Sequence, residues 1–342
     1  MAEIKHIGSL DGLRGFAASA VVFTHIESIY TVLAPIEIAK VGEQGVAIFF
    51  ALSGFLMAYL YGSKPFSRPA AADYLVSRFA RIYPVYLFAV LVCALLSAWP
   101  GLDYIDHLVG PVEIIRHVAM LGSQGVFWSI PPEIQFYLFF LLLWYCFANP
   151  QKSQALLAAI ACLFAVAALL KFPGPGIMLL SKLPYFLLGA LAGRIFALQP
   201  GRPTHAAVGI AALLLLAVFV PSRVMGILPK EEFWGLPSAL AASVLVYLIA
   251  CESAITAKIF ASAPLRFIGM ISFSLYLLHL PVMFLMNRWL GDALPLAAMI
   301  PLSIAAAYIA AWVSYRTIET PARRFLVALW HNRRIGLAAA KA

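Results

Sequence analysis

Acidic side chains are scarce: Asp and Glu number 15 against 24 Lys and Arg, and charged residues of both signs make up 11% of the 342-residue chain. Soluble globular domains carry about 25% charged residues, so this composition excludes an ordinary water-soluble domain. Cysteine is equally sparse. Cys93, Cys146, Cys162 and Cys251 each lie in an apolar run, without CxxC pairing or histidines at zinc-site spacing, and read as small packing residues. Also missing are the GxxxxGK[ST] phosphate loop, the GxSxG nucleophile turn and the HExxH helix, so nothing favours a nucleotide hydrolase, a serine hydrolase or a metalloenzyme. No strong internal repeat is visible.

What is present is apolar sequence. Hydrophobic residues make up 63% of the chain, and runs of roughly twenty recur from end to end, each long enough to cross a hydrocarbon core of about 30 Å. The expected fold class is all-α, a polytopic membrane protein with about ten transmembrane helices near 11–31, 45–62, 82–99, 128–148, 153–170, 176–197, 205–220, 235–252, 267–289 and 293–316. A single transmembrane domain occupies 1–342, its core about 9–325 and its short basic tail 326–342. Arg14 interrupts the first apolar run and no A-x-A-like site follows, so a retained helix is expected there in place of a signal peptide.

An even number of spans puts both termini on one side. That side collects most of the Lys and Arg; the other keeps Lys40, Arg116, Lys171, Lys182, Arg223, Lys230 and Arg288. By the positive-inside rule the termini face the cytoplasm. The net charge of +9 is then a consequence of topology, and no nucleic-acid partner is inferred from it. The breakers are KFPGPG, a loop, and Pro131-Pro132, at the start of the fourth expected helix, where proline is tolerated.

Against this background a few polar residues stand out. In LRGFAASAVVFTHIE, His25 follows Arg14 by eleven positions, about 16 Å along a helix and about 20° from one stripe. Ionisable groups at membrane depth face a bundle interior or a wet cavity and mark a pathway or reaction site; the bland alternative is a snorkelling arginine and a histidine satisfied by a neighbouring helix. In RFARIYP, at the cytoplasmic end of the third expected helix, Arg78 and Arg81 are neighbours on one face, suited to phosphate oxygens or equally to anchoring the topology. In FWSIPPEIQFYLFF, Glu133 opens an apolar helix just after Trp128; it needs a partner such as Arg14, a hydroxyl or a proton, or is stabilised by the helix dipole. In ISFSLYLLHLPV, His279 stands near Ser272, Ser274 and Tyr276, as a packed residue or a site residue. His6, His107, His117, His205 and His331 fall in expected loops or tails and are assigned no chemistry.

The segments SLDGLRGFAASAVVFTH, GVAIFFALSGFLMAYL, RFARIYPVYL, WSIPPEIQFYLFF, LLGALAGR, ISFSLYLLHLPV and IETPARRF resemble, in order and spacing, the acyltransferase-3 family of integral membrane acyltransferases, from about Ser9 to Phe325. The resemblance implies a bacterial inner-membrane enzyme that takes an acyl group, usually acetyl, from cytoplasmic acyl-CoA and places it on a hydroxyl of an extracytoplasmic or membrane-associated acceptor. Family acceptors are often polysaccharides, O-antigen or lipo-oligosaccharides, with macrolides in some branches. The family's arginine, ten residues, histidine pattern falls on Arg14 and His25, its paired arginines on Arg78 and Arg81, its acidic residue on Glu133, and its ninth-helix histidine on His279. Many members have two consecutive glutamates where this chain has Glu133 and Ile134. The SGNH-type domain of some relatives is not expected here.

The resulting expectation is an acyl-CoA-dependent O-acyltransferase with no permanently bound cofactor and no metal. His25 acts as general base or transient acyl carrier, Arg78 and Arg81 bind the CoA phosphates with Arg14 helping, and Glu133 orients His25, Arg14 or the acceptor. Tyr276, Trp128 and His279 form an additional candidate group. The partners are the lipid bilayer, a glycan or glycolipid acceptor and polysaccharide-assembly proteins. Loops 101–127 and 221–234 are natural places for acceptor selectivity. The rival readings are a transporter or flippase of a glycan or lipid intermediate, a non-catalytic assembly scaffold, and an acyltransferase acting on a macrolide or lipid.

Overall fold

The computed structural model describes residues 5–30, 41–169, 176–199, 201–228 and 233–339. Lys40, Lys171, Lys230, Lys341 and most of the KFPGPG segment lie outside them. The described residues are helical, with no strand among them. The helices are α1 Gly8–Ile29, α2 Gly42–Tyr61, α3 Arg68–Ala98, α4 Pro111–Val118, α5 Ile130–Ala148, α6 Gln154–Leu169, α7 Leu183–Leu198, α8 Ala206–Phe219, α9 Leu236–Ala250, α10 Ala254–Phe260, α11 Ala263–Leu290, α12 Leu296–Ser314 and α13 Thr320–Ala339.

Each expected apolar range falls on one of these helices. Length and apolar composition alone qualify five stretches to cross a membrane: α2, α3, Gly125–Ala148, α11 and the continuous Leu296–Arg334. A sixth is α9 with α10, bent by 99°, and α6, α7 and α8 are apolar but shorter, so the expected count of about ten is not reached on this criterion. Large apolar side chains such as Leu91, Leu138, Leu214 and Ile309 face outward, a surface suited to lipid and unsuited to water.

The chain divides into two compact units. The first comprises residues 1–65 and 128–276, and α2 is its hub, packed against α1, α5, α7 and α9. Small residues set the spacing. A side chain on Gly54 would collide with the Phe186 carbonyl, on Gly189 with that of Ala51 and on Gly193 with that of Phe55, so α2 and α7 run side by side, backbone against backbone, in one direction. A Cβ on Gly42 would meet Thr24 Oγ1 at 2.7 Å and one on Gly45 would meet Val21 Cγ2 at 3.1 Å, which makes α1 and α2 antiparallel. Gly12 and Gly269 are in equally close contact with the backbones of Phe260 and Asp11. At the α9–α10 bend Glu252 adopts φ 51°, and its Oε1 accepts the Ser9 N–H at 3.2 Å. A carboxylate thus caps one of the orphan donors of α1.

The second unit comprises residues 66–127 and 277–342. Ser67 caps α3, its hydroxyl accepting the Ala70 N–H, with Pro69 in the first turn. This cap starts α3 well before the expected 82 and leaves Pro84 inside the helix. RFARIYP therefore lies within α3 and not at its mouth. The expected basic tail is the ordered helix α13, joined to α12 through the π-turn Tyr315–Glu319 and docked on α3, where Trp330 Nε1 donates to Asp73 Oδ1 at 2.8 Å and Arg334 pairs with the same carboxylate. His331 belongs to that helix and His117 to α4, not to loops. His117 is fully buried, with Nδ1 2.8 Å from the Glu113 carbonyl and Nε2 accepting the Gln124 N–H. That fixes one neutral tautomer in a structural role.

Candidate active site

The first unit holds Arg14, His25, Trp128, Glu133 and Tyr276. His25 is half-buried, and Nδ1 lies 2.9 Å from the Val21 carbonyl one turn back. A carbonyl only accepts, so Nδ1 carries the hydrogen and the ring lone pair resides on Nε2, the tautomer a general base requires. Toward the other end of α1, Arg14 Nη1 lies 3.3 Å from Asp11 Oδ1, and Asp11 Oδ2 lies 2.8 Å from His6 Nε2.

Glu133 stands in the first turn of α5, after Pro131 and Pro132 at the positions where a missing N–H is harmless. Its Oε1 accepts from Ser53 Oγ at 2.8 Å and from the Tyr137 hydroxyl at 2.5 Å. The needed partners are therefore two protein hydroxyls. Among the described residues both bonds fall on Oε1, and Arg14 and His25 are not bonded to this carboxylate. The register along α2 explains why. Thr24 faces Gly42, which sets His25 near the first turn of α2, whereas Glu133 hangs on Ser53, eleven residues and about 16 Å further along. Glu133 is nearer the level of Arg14, because Ala17 already faces Gly45 and α1 runs the other way.

The remaining candidates of this unit fall into polar and aromatic clusters. Tyr276 is buried with its hydroxyl 2.8 Å from Ser129 Oγ. Trp128 meets Phe50 edge-on at 6.2 Å and Trp234 at 5.4 Å, and beside the two indoles lies Lys182, its Nζ 3.7 Å from the Trp234 ring centre and 5.6 Å from that of Trp128. Two clamps place these groups. Gln135 binds the 177–179 segment through both ends of its amide, donating to the Ile177 carbonyl at 2.9 Å and accepting the Leu179 N–H at 2.8 Å. The Tyr185 hydroxyl donates to the Phe233 carbonyl at 2.7 Å. Sequence reasoning counted Lys182 only as a charge on the far side and did not single out Ser53, Gln135 or Trp234; the QFY tripeptide after Glu133 was the one local signal.

The second unit holds Arg78, Arg81 and His279. The arginines are half-buried one turn apart on α3, the neighbouring geometry their spacing requires. His279 is fully buried in α11. Of the four cysteines, all unpaired as thiols, Cys162 is exposed on α6 and the other three are buried as expected.

Taken together, the described residues form an all-α protein with five or six stretches long and apolar enough to cross a membrane, and a histidine, a carboxylate and an arginine pair set among them. The family described as an acyltransferase domain matches residues 7–316, and the chain belongs to that family. Among its relatives are the peptidoglycan O-acetyltransferase OatA of Listeria monocytogenes, 27% identical over 94% of this chain and 56% of its own length, and the O-acetyltransferase OatA of Staphylococcus aureus, 25% identical over 94% and 58%. The acyltransferase MdmB of Streptomyces mycarofaciens is 27% identical over 95% of this chain and 93% of its own length. The chain thus spans somewhat more than half of the OatA proteins and nearly all of MdmB. No solved structure matches it.

Proposed function

We propose that the protein is an integral membrane O-acyltransferase that moves an acyl group, acetyl foremost, from cytoplasmic acyl-CoA to a hydroxyl of an extracytoplasmic or membrane-associated glycan, in a bacterial inner membrane with both termini cytoplasmic. The observation that carries this reading is His25 on α1: its Nδ1 lies 2.9 Å from the Val21 carbonyl, a bond that makes Nε2 the basic nitrogen of the neutral ring.

In the direct route Nε2 removes the proton of the acceptor hydroxyl as its oxygen attacks the thioester carbonyl carbon. Collapse of the tetrahedral adduct breaks the C–S bond, and the imidazolium returns its proton to the departing CoA thiolate. In the carrier route Nε2 itself takes the acyl group and releases CoA before the acceptor attacks, which gives ping-pong kinetics. The register along α2 favours giving Glu133 to the donor side: Oε2, at the depth of Arg14, accepts an amide N–H of the pantetheine arm, while Arg78 and Arg81 hold the CoA phosphates bidentately. Polysaccharide-assembly proteins would deliver the acceptor.

The test is His25→Ala in membrane vesicles normalised for protein content, supplied with radiolabelled acetyl-CoA and a glycan fraction from the native envelope. Transfer should fall by roughly 10²-fold or more, the scale of a lost general base. Full transfer by this variant would refute the assignment.

A further inference from the structure

The group that the proposed reaction leaves unused is Lys182. It is 5% exposed, and among the described residues it forms no ion pair and its ammonium finds no hydrogen-bond acceptor; it rests on the faces of Trp234 and Trp128. A desolvated ammonium with only indole partners retains much of its hydrogen-bonding capacity. The indoles are half-buried, less enclosed than the lysine, and they meet at 80°, so the ammonium sits in the corner between two aromatic faces.

Depth adds a second, independent observation. α2 and α7 run in one direction with Gly189 against Ala51, so Lys182, seven residues before Gly189, lies near the level of α2 residue 44. That is the level at which α1 presents His25, with Thr24 against Gly42 and Val21 against Gly45. Lys182 also immediately precedes the first residue of α7, whose dipole strengthens the positive field there. Two hydrogen bonds from Gln135 and one from Tyr185 hold the lysine's segment and the Phe233-Trp234 segment in place, the arrangement of a prepared site more than of a stray surface lysine.

From these observations we infer that Lys182, Trp128 and Trp234 form an acceptor subsite for a sugar carrying a carboxylate, the acid group on the ammonium and the apolar face of the ring on the indoles. A single ammonium suits a carboxylate better than a phosphate, which draws forked guanidinium or multiple backbone donors. This deepens the acyltransferase reading and rests on it for the term acceptor, yet it can fail separately.

The experiment titrates the detergent-purified full chain with a galacturonic acid trisaccharide and with its carboxyl-reduced neutral counterpart, reading tryptophan fluorescence, since Trp128 and Trp234 are two of only seven tryptophans. The wild type should bind the acid at least tenfold more tightly. Lys182→Met should abolish that difference, Lys182→Arg should retain it, and Trp234→Leu should weaken both sugars. Acetyl-CoA binding by calorimetry, measured on every variant, reports that the fold survives. Equal binding of the two sugars, binding of neither, or discrimination preserved in Lys182→Met would overturn the subsite, the last because a lysine that merely packs on indoles is replaceable by methionine. Loss of acetyl-CoA binding by the wild type would instead strike the acyl-CoA reading and leave the sugar comparison to stand on its own.

Discussion

Glu133→Gln separates what the carboxylate does for the fold from what it does for the donor. Glutamine keeps the shape, and its amide oxygen can replace Oε1 as acceptor for Ser53 and Tyr137. Each of those bonds falls from the charged class, about 1.5–3 kcal/mol, to the neutral one, about 1 kcal/mol. The change also removes a half-buried charge whose desolvation opposes folding, so the net stability change is about 1–2 kcal/mol, a shift of only a few degrees in unfolding temperature for a chain of this size. At Oε2 no such compensation exists, because an NH2 group cannot accept the N–H that a carboxylate accepts. Losing one charge-assisted bond of about 1.5–3 kcal/mol converts to roughly a 10- to 150-fold loss in kcat/KM for acetyl-CoA. The assay pairs thermal unfolding in detergent with initial-rate kinetics at varied acetyl-CoA and fixed acceptor. Unchanged kcat/KM in a folded variant would refute the donor-side role of Oε2, and loss of the folded protein would refute the claim that the two hydroxyls tolerate a neutral partner.

Three further outcomes follow from particular contacts. The Arg78→Ala, Arg81→Ala double variant should lose saturable acetyl-CoA binding by calorimetry, with single lysine replacements retaining part of it; a folded double variant that binds like wild type would return the pair to anchoring the topology. Gly189→Leu should destabilise the α2–α7 contact by at least about 1–3 kcal/mol, because its Cβ meets the Ala51 carbonyl and not a yielding side chain; an unaltered unfolding temperature would contradict the backbone-to-backbone packing. Burial raises the Asp106 carboxyl above its ordinary range in the loop before α4, with His107 opposing. A folded value above the unfolded one makes the native state bind the extra proton, so stability declines as pH rises from the ordinary carboxylate range through the raised folded value. Asp106→Asn should accordingly stabilise the protein at neutral pH, with the gain vanishing in acid, and a gain independent of pH would refute the burial argument.

Sequence periodicity and composition carried most of the helix placement, because long apolar runs have few alternatives in a bilayer. The start of α3 escaped them: the signal there is Ser67 with Pro69, a cap and a proline at the first turn, and the polar stretch that follows resembles a loop until α13 docks on Asp73. The candidate site was legible where one helix carries its own pattern, as with Arg14 and His25, or with Arg78 and Arg81. It was not legible where distant segments meet. Lys182 is about fifty residues from each of Trp128 and Trp234 in sequence, and no local pattern announces that a lysine will lie between two indoles. The same limit applies to Glu133: its position at a helix start was visible, but its partners, Ser53 on another helix and Tyr137 one turn on, depended on the α2–α5 register.

The transporter reading weighs differently once the helices are placed. Transporters of paired-repeat design build their midplane site from two broken helices in corresponding halves, and among the described residues one bent pair qualifies, α9 with α10. Its break does not open toward a ligand: Glu252, the residue in the left-handed conformation, spends its carboxylate on the Ser9 N–H, and Ser253 caps the next helix through Thr256. The unwound backbone there is committed to closing α1 and α10. The polar groups along α2 instead differ between two levels: near its first turn lie His25, Lys182 and the Glu43–Arg223 ion pair, and halfway along the Glu133 carboxylate hangs on Ser53. We read two separate polar levels as suiting two unlike substrates better than one cargo bound in two orientations.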